Sequence, residues 1–140
     1  MIERPRDGVV VLVDTSVWIE FFRRSSRFDL QAVVDLEEIV TCPPVVQEVL
    51  QGFNNQRSFL VAREAMLAFP MVEENLALEA YLEAAELFRS ARRAGFTVRS
   101  GVDCLIATCA IRNSLTLLHR DRDFDALARV APLSVLESEL

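Results

Sequence analysis

The chain contains no lysine: all fifteen of its basic residues are arginine. That absence excludes several phosphate chemistries in their standard form. A P-loop sets a lysine on its phosphates, and receiver domains and haloacid-dehalogenase phosphatases place one beside their aspartates. Histidine is almost as scarce, His119 being the single one. One imidazole cannot run a two-histidine ribonuclease mechanism or build a multi-histidine metal cluster, so any metal must be carried by carboxylates. The three cysteines, Cys42, Cys104 and Cys109, are odd in number and form no CxxC pair. They support neither a disulfide framework nor a thiolate zinc site and read as small core residues.

No apolar run approaches the roughly 18 residues needed to cross a bilayer, and the opening MIERPRDG lacks a signal-peptide core. The expectation is a cytoplasmic protein with no membrane partner. A net charge of -6 and a pI near 4.8 argue against a simple basic nucleic-acid binder. At 140 residues the chain suits one domain, residues 1–140, with a hydrophobic core of its own. Apolar residues reach 51% and mean hydropathy is +0.24, values that a sheet of buried parallel strands explains in part. The remainder points to apolar surface covered by a partner, with the segment from Val45 to Leu60, including Leu50, Phe53 and Phe59, as one candidate.

Strand and helix patterns alternate along the chain. Val9 to Val13 is a β-branched run that ends at Asp14, and Ser16 is placed to cap a helix through Trp18, Ile19 and Phe22. Asp29 is placed to cap a second helix reaching Leu36, followed by a short strand from Ile39 to Cys42. Pro43 and Pro44 suit the first turn of a helix that carries Glu48 and loosens or ends at Gly52. Residues 56 to 69 are helical in period, Pro70 to Val72 extended, and Leu76 to Ala94 a long helix stopped by Gly95. Ser100 and Gly101 precede a helix from Val102 to Asn113, which sets Asp103 in a first turn where the helix dipole favours a carboxylate. A strand from Leu115 to Leu118, a helix around Phe124 to Val130 and a strand from Leu133 to Leu136 complete the pattern. Such alternation predicts a three-layer α/β/α sandwich around a central parallel sheet, with ligands bound at the carboxyl ends of its strands.

Four acids stand directly beside the apolar runs: Asp14 in VVVLVDTSVWIEFF, Glu48 in PPVVQEVLQGF, Asp103 in SGVDCLIATCAI and Asp121 in LTLLHRDRDF. Taken singly, each is adequately explained as a helix cap or turn acid. Taken together, they sit where the carboxyl edge of one sheet would gather them. Two carboxylates about 4 Å apart repel by roughly 4 kcal/mol at an effective dielectric near 20, so a cluster needs cations or protons to persist. Hard oxygen donors of this kind suit Mg²⁺ or Mn²⁺, with Asp14, Asp103 and Asp121 as ligands and Glu48 either binding through water or orienting an attacking water. Asp123 faces the same pocket from a loop or strand end but points away from it in a helix. A phosphate-bearing substrate approaching such a pocket needs arginines, and Arg120 and Arg122, flanking Asp121, are the candidates for phosphate contacts unless they pair with neighbouring acids. Arg99 also lies close to the acids in sequence. Thr15 and Ser16 read first as turn and cap residues, with orientation of Asp14 or contact to substrate phosphate as a second role for a hydroxyl.

The stretches VDTSVWIEFF, EVLQGF, SGVDCLIATCAI and LTLLHRDRDF, in that order, resemble the PIN-domain ribonucleases, most closely the VapC toxins. The likeness runs from about Val9 to Val135. It implies a parallel sheet whose carboxyl edge holds Asp14, Glu48, Asp103 and Asp121. It also implies Mg²⁺- or Mn²⁺-dependent cleavage of RNA, a homodimer, and a small cognate antitoxin of VapB type. Residues 1–8 exceed the shortest family members and read as a flexible lead. A catalytically silent PIN scaffold that binds RNA or protein is the alternative, against which the full acid set counts. A nuclease of DNA flaps would need substrate-threading additions that a chain of this length lacks.

Overall fold

A computed structural model describes residues 9–23 and 26–137; the predicted lead at residues 1–8 and Arg24 lie outside that range. Four strands form one sheet: β1 (Val11–Val13), β2 (Ile39–Val40), β3 (Thr116–His119) and β4 (Ser134–Glu137), in the order β2-β1-β3-β4. Every pairing is parallel, with Val13 opposite Leu118 and Val11 opposite both Ile39 and Thr116. Val11, Leu12, Val13, Leu117 and Leu118 are all fully buried, which is why these strands read as unbroken apolar runs without alternation.

Six helices flank the sheet: α1 (Thr15–Phe22), α2 (Pro43–Gln51), α3 (Gln56–Leu67), α4 (Leu78–Arg93), α5 (Gly101–Arg112) and α6 (Arg122–Ala128). The expected α/β/α sandwich is the fold found. From β1 the chain moves outward to β2, and from β3 it moves outward the opposite way to β4. By the right-handed crossover rule, connections that run in opposite directions put their helices on opposite faces, and the switch point of this strand order falls between the carboxyl ends of β1 and β3. Trp18, Phe124, Leu30 and Met66, each under 2% exposed, are among the largest side chains of the core, and all three cysteines are buried there.

Three local expectations change. The first helix is capped by Asp14, not Ser16: it begins at Thr15, and the Ser16 amide donates to the Asp14 carboxylate. The helix expected after Asp29 is two short 3-10 turns, Leu30–Ala32 and Leu36–Glu38. The β-branched pair Val33 and Val34 is a poor helix continuation, and tertiary burial of Leu30, Val33 and Val34 satisfies their hydrophobicity without a full helix. Pro70 to Val72 does run extended, as a parallel bridge between Thr41 and Met71. The stop after α4 is local: Gly95 adopts φ 89°, and Phe96 N donates to Ala91 O at 2.9 Å across it. Among the described residues, no helix is long and apolar enough to cross a membrane.

Candidate active site

Asp14 ends β1 and caps α1, so its backbone serves the sheet while its side chain serves the helix. Its amide donates to Leu118 O at 2.9 Å, tying it to β3. Its Oδ2 accepts from the Ser16 amide at 3.0 Å and from the Ser16 hydroxyl at 2.6 Å. Its Oδ1 is buried and has no hydrogen-bond partner. The residue is 3% exposed, and burial pushes its carboxyl up to about 6 against the opposing pull of Ser16. A buried, half-satisfied carboxylate of this kind is costly unless a cation meets it.

The Ser16 hydroxyl also accepts from Arg120 N at 3.0 Å. One hydroxyl therefore joins the ends of β1 and β3, and it is already engaged as donor and acceptor. Glu48, on α2, is half-buried and accepts from Thr15 Oγ1 at 3.0 Å. The sequence reading of Thr15 as a turn residue missed this link, which depends on the packing of α1 against α2.

Asp103 lies in the first turn of α5 behind the Ser100 cap. Although the helix dipole favours its charge, the carboxyl is pushed up to about 7, first by burial and then by the charges of Asp14, Asp121, Glu48 and Asp123. The five acids therefore share one electrostatic pocket. Asp103, Asp121 and Asp123 each bring a carboxylate oxygen to within 4.8 Å of the other two.

Asp121 caps α6, accepting from Asp123 N at 3.0 Å. The expectation for Asp123 needs correcting: it is in a helix, yet it faces the acids and is 4% exposed. Side chains of a first helical turn tilt back towards the N-terminus, and there the carboxylate meets Asp121 and Asp103. Asp125 lies one turn into α6 with Oδ1 3.4 Å from His119 Nε2.

His119 is fully buried at the end of β3. Its Nδ1 accepts from Asp121 N at 3.1 Å, so it fixes the backbone that carries an acid. Burial holds the imidazole below its usual range, and the neutral ring keeps its proton on Nε2, towards Asp125.

The arginines are arranged differently from their order in the chain. Arg120 turns its guanidinium to Glu20, 3.0 Å away on α1. Arg122 opens α6, is exposed, and has no ion-pair partner among the described residues. Arg99, from the segment between α4 and α5, is the arginine that enters the pocket. Its Nη2 donates to Asp121 Oδ1 at 2.9 Å, and its Nε and amide N donate to Asp123 Oδ2 at 3.1 and 3.2 Å. The only sequence signal for it was proximity to Asp103.

The candidate partner segment contributes Phe53 to a groove of about 670 Å³ shared with Phe22, Arg57 and Val61. Leu50 and Phe59 are half-buried.

A PIN-domain model matches residues 11–130. VapC ribonuclease Mb1587 of Mycobacterium bovis and ribonuclease VapC11 of Mycobacterium tuberculosis are each 38% identical to this chain over 129 residues, covering 89% of it and 96% of their own length. In fold, the chain resembles VapBC2 from Rickettsia felis, solved bound to a promoter DNA fragment, at TM-score 0.71 and 15% identity, covering 94% of this chain and all of that one. It also resembles VapBC-5 from Mycobacterium tuberculosis, of the VapBC family of toxin-antitoxin systems, at TM-score 0.70 and 20% identity, covering 94% of this chain and 100% of that one. With the family model spanning most of the described residues and the sequence relatives covered almost end to end, this chain belongs to the PIN-domain family and, within it, to the VapC ribonucleases.

Proposed function

We propose that this chain is a metal-dependent endoribonuclease that hydrolyses RNA phosphodiester bonds as the toxin of a toxin-antitoxin pair. Mg²⁺ is the expected ion, with Mn²⁺ as a substitute. The observation that carries the reading is the convergence of five acids at the carboxyl edge of the sheet, one of them with a buried, unpartnered oxygen. The donor set fits the ion: hard carboxylate oxygens, three within 4.8 Å, and no soft ligand among them. Asp103, Asp121, Asp123 and Asp14 would hold it. A bound divalent ion supplies a Lewis acid for the scissile phosphate and an activated water.

The remaining work falls to the chain's own residues. Ser16 holds one oxygen of Asp14, which leaves the buried, unpartnered Oδ1 to serve as a ligand. Thr15 occupies Glu48 Oε1, so Oε2 is left to accept a hydrogen bond from the attacking water and orient it. Arg122, exposed at the rim, is a phosphate contact, whereas Arg120 acts through its backbone bond to Ser16 and its ion pair with Glu20. Relatives named as VapBC assemblies support a VapB-type antitoxin as partner. A homodimer, a cytoplasmic location and one domain over residues 1–140 belong to the same reading.

The test is incubation of total cellular RNA with antitoxin-free protein in Mg²⁺, Mn²⁺ or EDTA, beside Asp14→Asn. Discrete fragments that require metal and disappear in the variant are expected. Absence of cleavage by folded protein that binds metal would point instead to a silent scaffold or a substrate outside that pool.

A further inference from the structure

Arg99 is the sole arginine seen to enter the acid pocket among the described residues, and the way it is held differs from every other ion pair there. One guanidinium forks across two acids, Nη2 to Asp121 and Nε to Asp123. These are two of the three carboxylates that lie within 4.8 Å of one another. The cation therefore touches two of the carboxylates best arranged for a metal ion. Its attachment is one-sided: the Arg99 side chain is 59% exposed, whereas that of Asp123 is 6% exposed. The backbone beneath it is anchored, by Val98 in the core and by the Arg99 amide on Asp123. The segment from Phe96 to Ser100 has no regular structure to restrict the side chain. Arg112 offers a contrast: it is gripped by Glu73 and Glu83, and its side chain is only 29% exposed.

We propose that Arg99 is a resident countercation of the acid pocket, which occupies the place of the divalent ion and must withdraw its guanidinium for that ion to bind. The inference rests on the metal-site reading above. Without a cation, neighbouring carboxylates destabilise one another, and a single guanidinium spanning two of them relieves that repulsion. A divalent ion carries twice the charge and would draw on the same two carboxylates, so the two would compete for them. The anchored amide keeps Asp123 turned to the pocket while the side chain swings into solvent. Metal affinity is then set partly by the strength of the Arg99 fork, and no partner chain is needed to stabilise the metal-free pocket.

The geometry admits one opposing outcome. Each carboxylate has a second oxygen, so Arg99 could stay in place and hold Asp121 and Asp123 in the orientation the metal requires. The two cases predict opposite signs. Mn²⁺ is titrated into metal-free wild type, R99Q and R99K, followed by calorimetry and by the electron paramagnetic resonance of free Mn²⁺. Competition predicts that R99Q binds Mn²⁺ about three- to tenfold more tightly than wild type, with R99K, which keeps the charge and loses the fork, in between. In EDTA, R99Q should melt lower than wild type, and saturating Mn²⁺ should close the gap. Equal or weaker binding by R99Q would overturn the proposal while leaving the metal site intact. No binding by either protein would remove the site itself, and the inference with it.

Discussion

The Ser16 hydroxyl lies 2.6 Å from Asp14 Oδ2 and accepts from Arg120 N at 3.0 Å, so one side chain sets both the acid that ends β1 and the backbone that follows β3. Ser16→Ala removes this link but keeps the amide bond to Asp14. Because the hydroxyl favours the charged carboxylate, its loss raises the Asp14 pKa further above 6 and weakens metal binding at pH 7. A hydrogen bond to a charged group contributes about 1.5–3 kcal/mol, so Mn²⁺ affinity at pH 7 should fall about two- to fifteenfold. Unchanged affinity between pH 6 and 8 would show that the bond does not set the ligand.

Thr15→Val separates Glu48 from the metal cluster. The substitution keeps volume at a buried position and deletes the donor to Glu48. Cleavage should slow about tenfold or more with Mn²⁺ affinity unchanged, as for loss of a hydrogen bond to a charged group, about 1.5–3 kcal/mol. A parallel loss of metal affinity would make Glu48 a ligand instead of an orienting group.

The metal-free protein should become less stable as pH rises. Asp14 and Asp103 have folded-state values of about 6 and about 7, raised from the ordinary 3.8. For raised groups the neutral form favours the fold, so their contribution is complete below about pH 4 and is lost as pH rises through 6 and 7. The urea midpoint in EDTA should therefore fall between pH 5 and 8, and Asp103→Asn should flatten that fall. A midpoint that climbs over this range would contradict the shared pocket.

Metal should reverse the loss. An ion that binds only the native state at about one hundred times its Kd stabilises by about 2.7 kcal/mol. Thermal melts of wild type at pH 8 should rise with Mn²⁺, and those of Asp103→Asn should rise less. Superimposable titrations would mean that Asp103 takes no part in the site.

Gly95→Ala tests the end of α4 apart from the chemistry. At φ 89° an alanine is strained although nothing crowds its Cβ, and a cost of about 1 kcal/mol is expected in urea unfolding, with Mn²⁺ affinity retained. No measurable cost would mean that the turn relaxes to another conformation.

Much of this was legible along the chain because it depends on local rules. The buried strands announced themselves as β-branched runs, Pro43 and Pro44 opened α2, and α5 began within a residue of the expected start, with Ser100 as its cap. Two misreadings share one cause. Ser16 in place of Asp14 as the cap, and a helix in place of the turns after Asp29, both came from weighing a residue's own propensity against neighbours in sequence alone. The Asp123 question could not be settled locally either, because a helical carboxylate points towards or away from a pocket according to its turn and to what packs above it.

The partners of the acids belong to the tertiary structure. Residue types and spacing by themselves determined a parallel α/β/α sandwich, carboxylates at the strand ends and no role for lysine or paired histidines, since periodicity and composition are properties of the chain. Only the folded arrangement decided that Arg99 and not Arg120 enters the pocket, and that Thr15 holds Glu48 across 33 positions. It also decided that Ser16 spans 104 positions to reach Arg120. Such contacts depend on distances between elements brought together by crossovers, and side-chain charge pairs carry no periodic trace in the sequence that would reveal them.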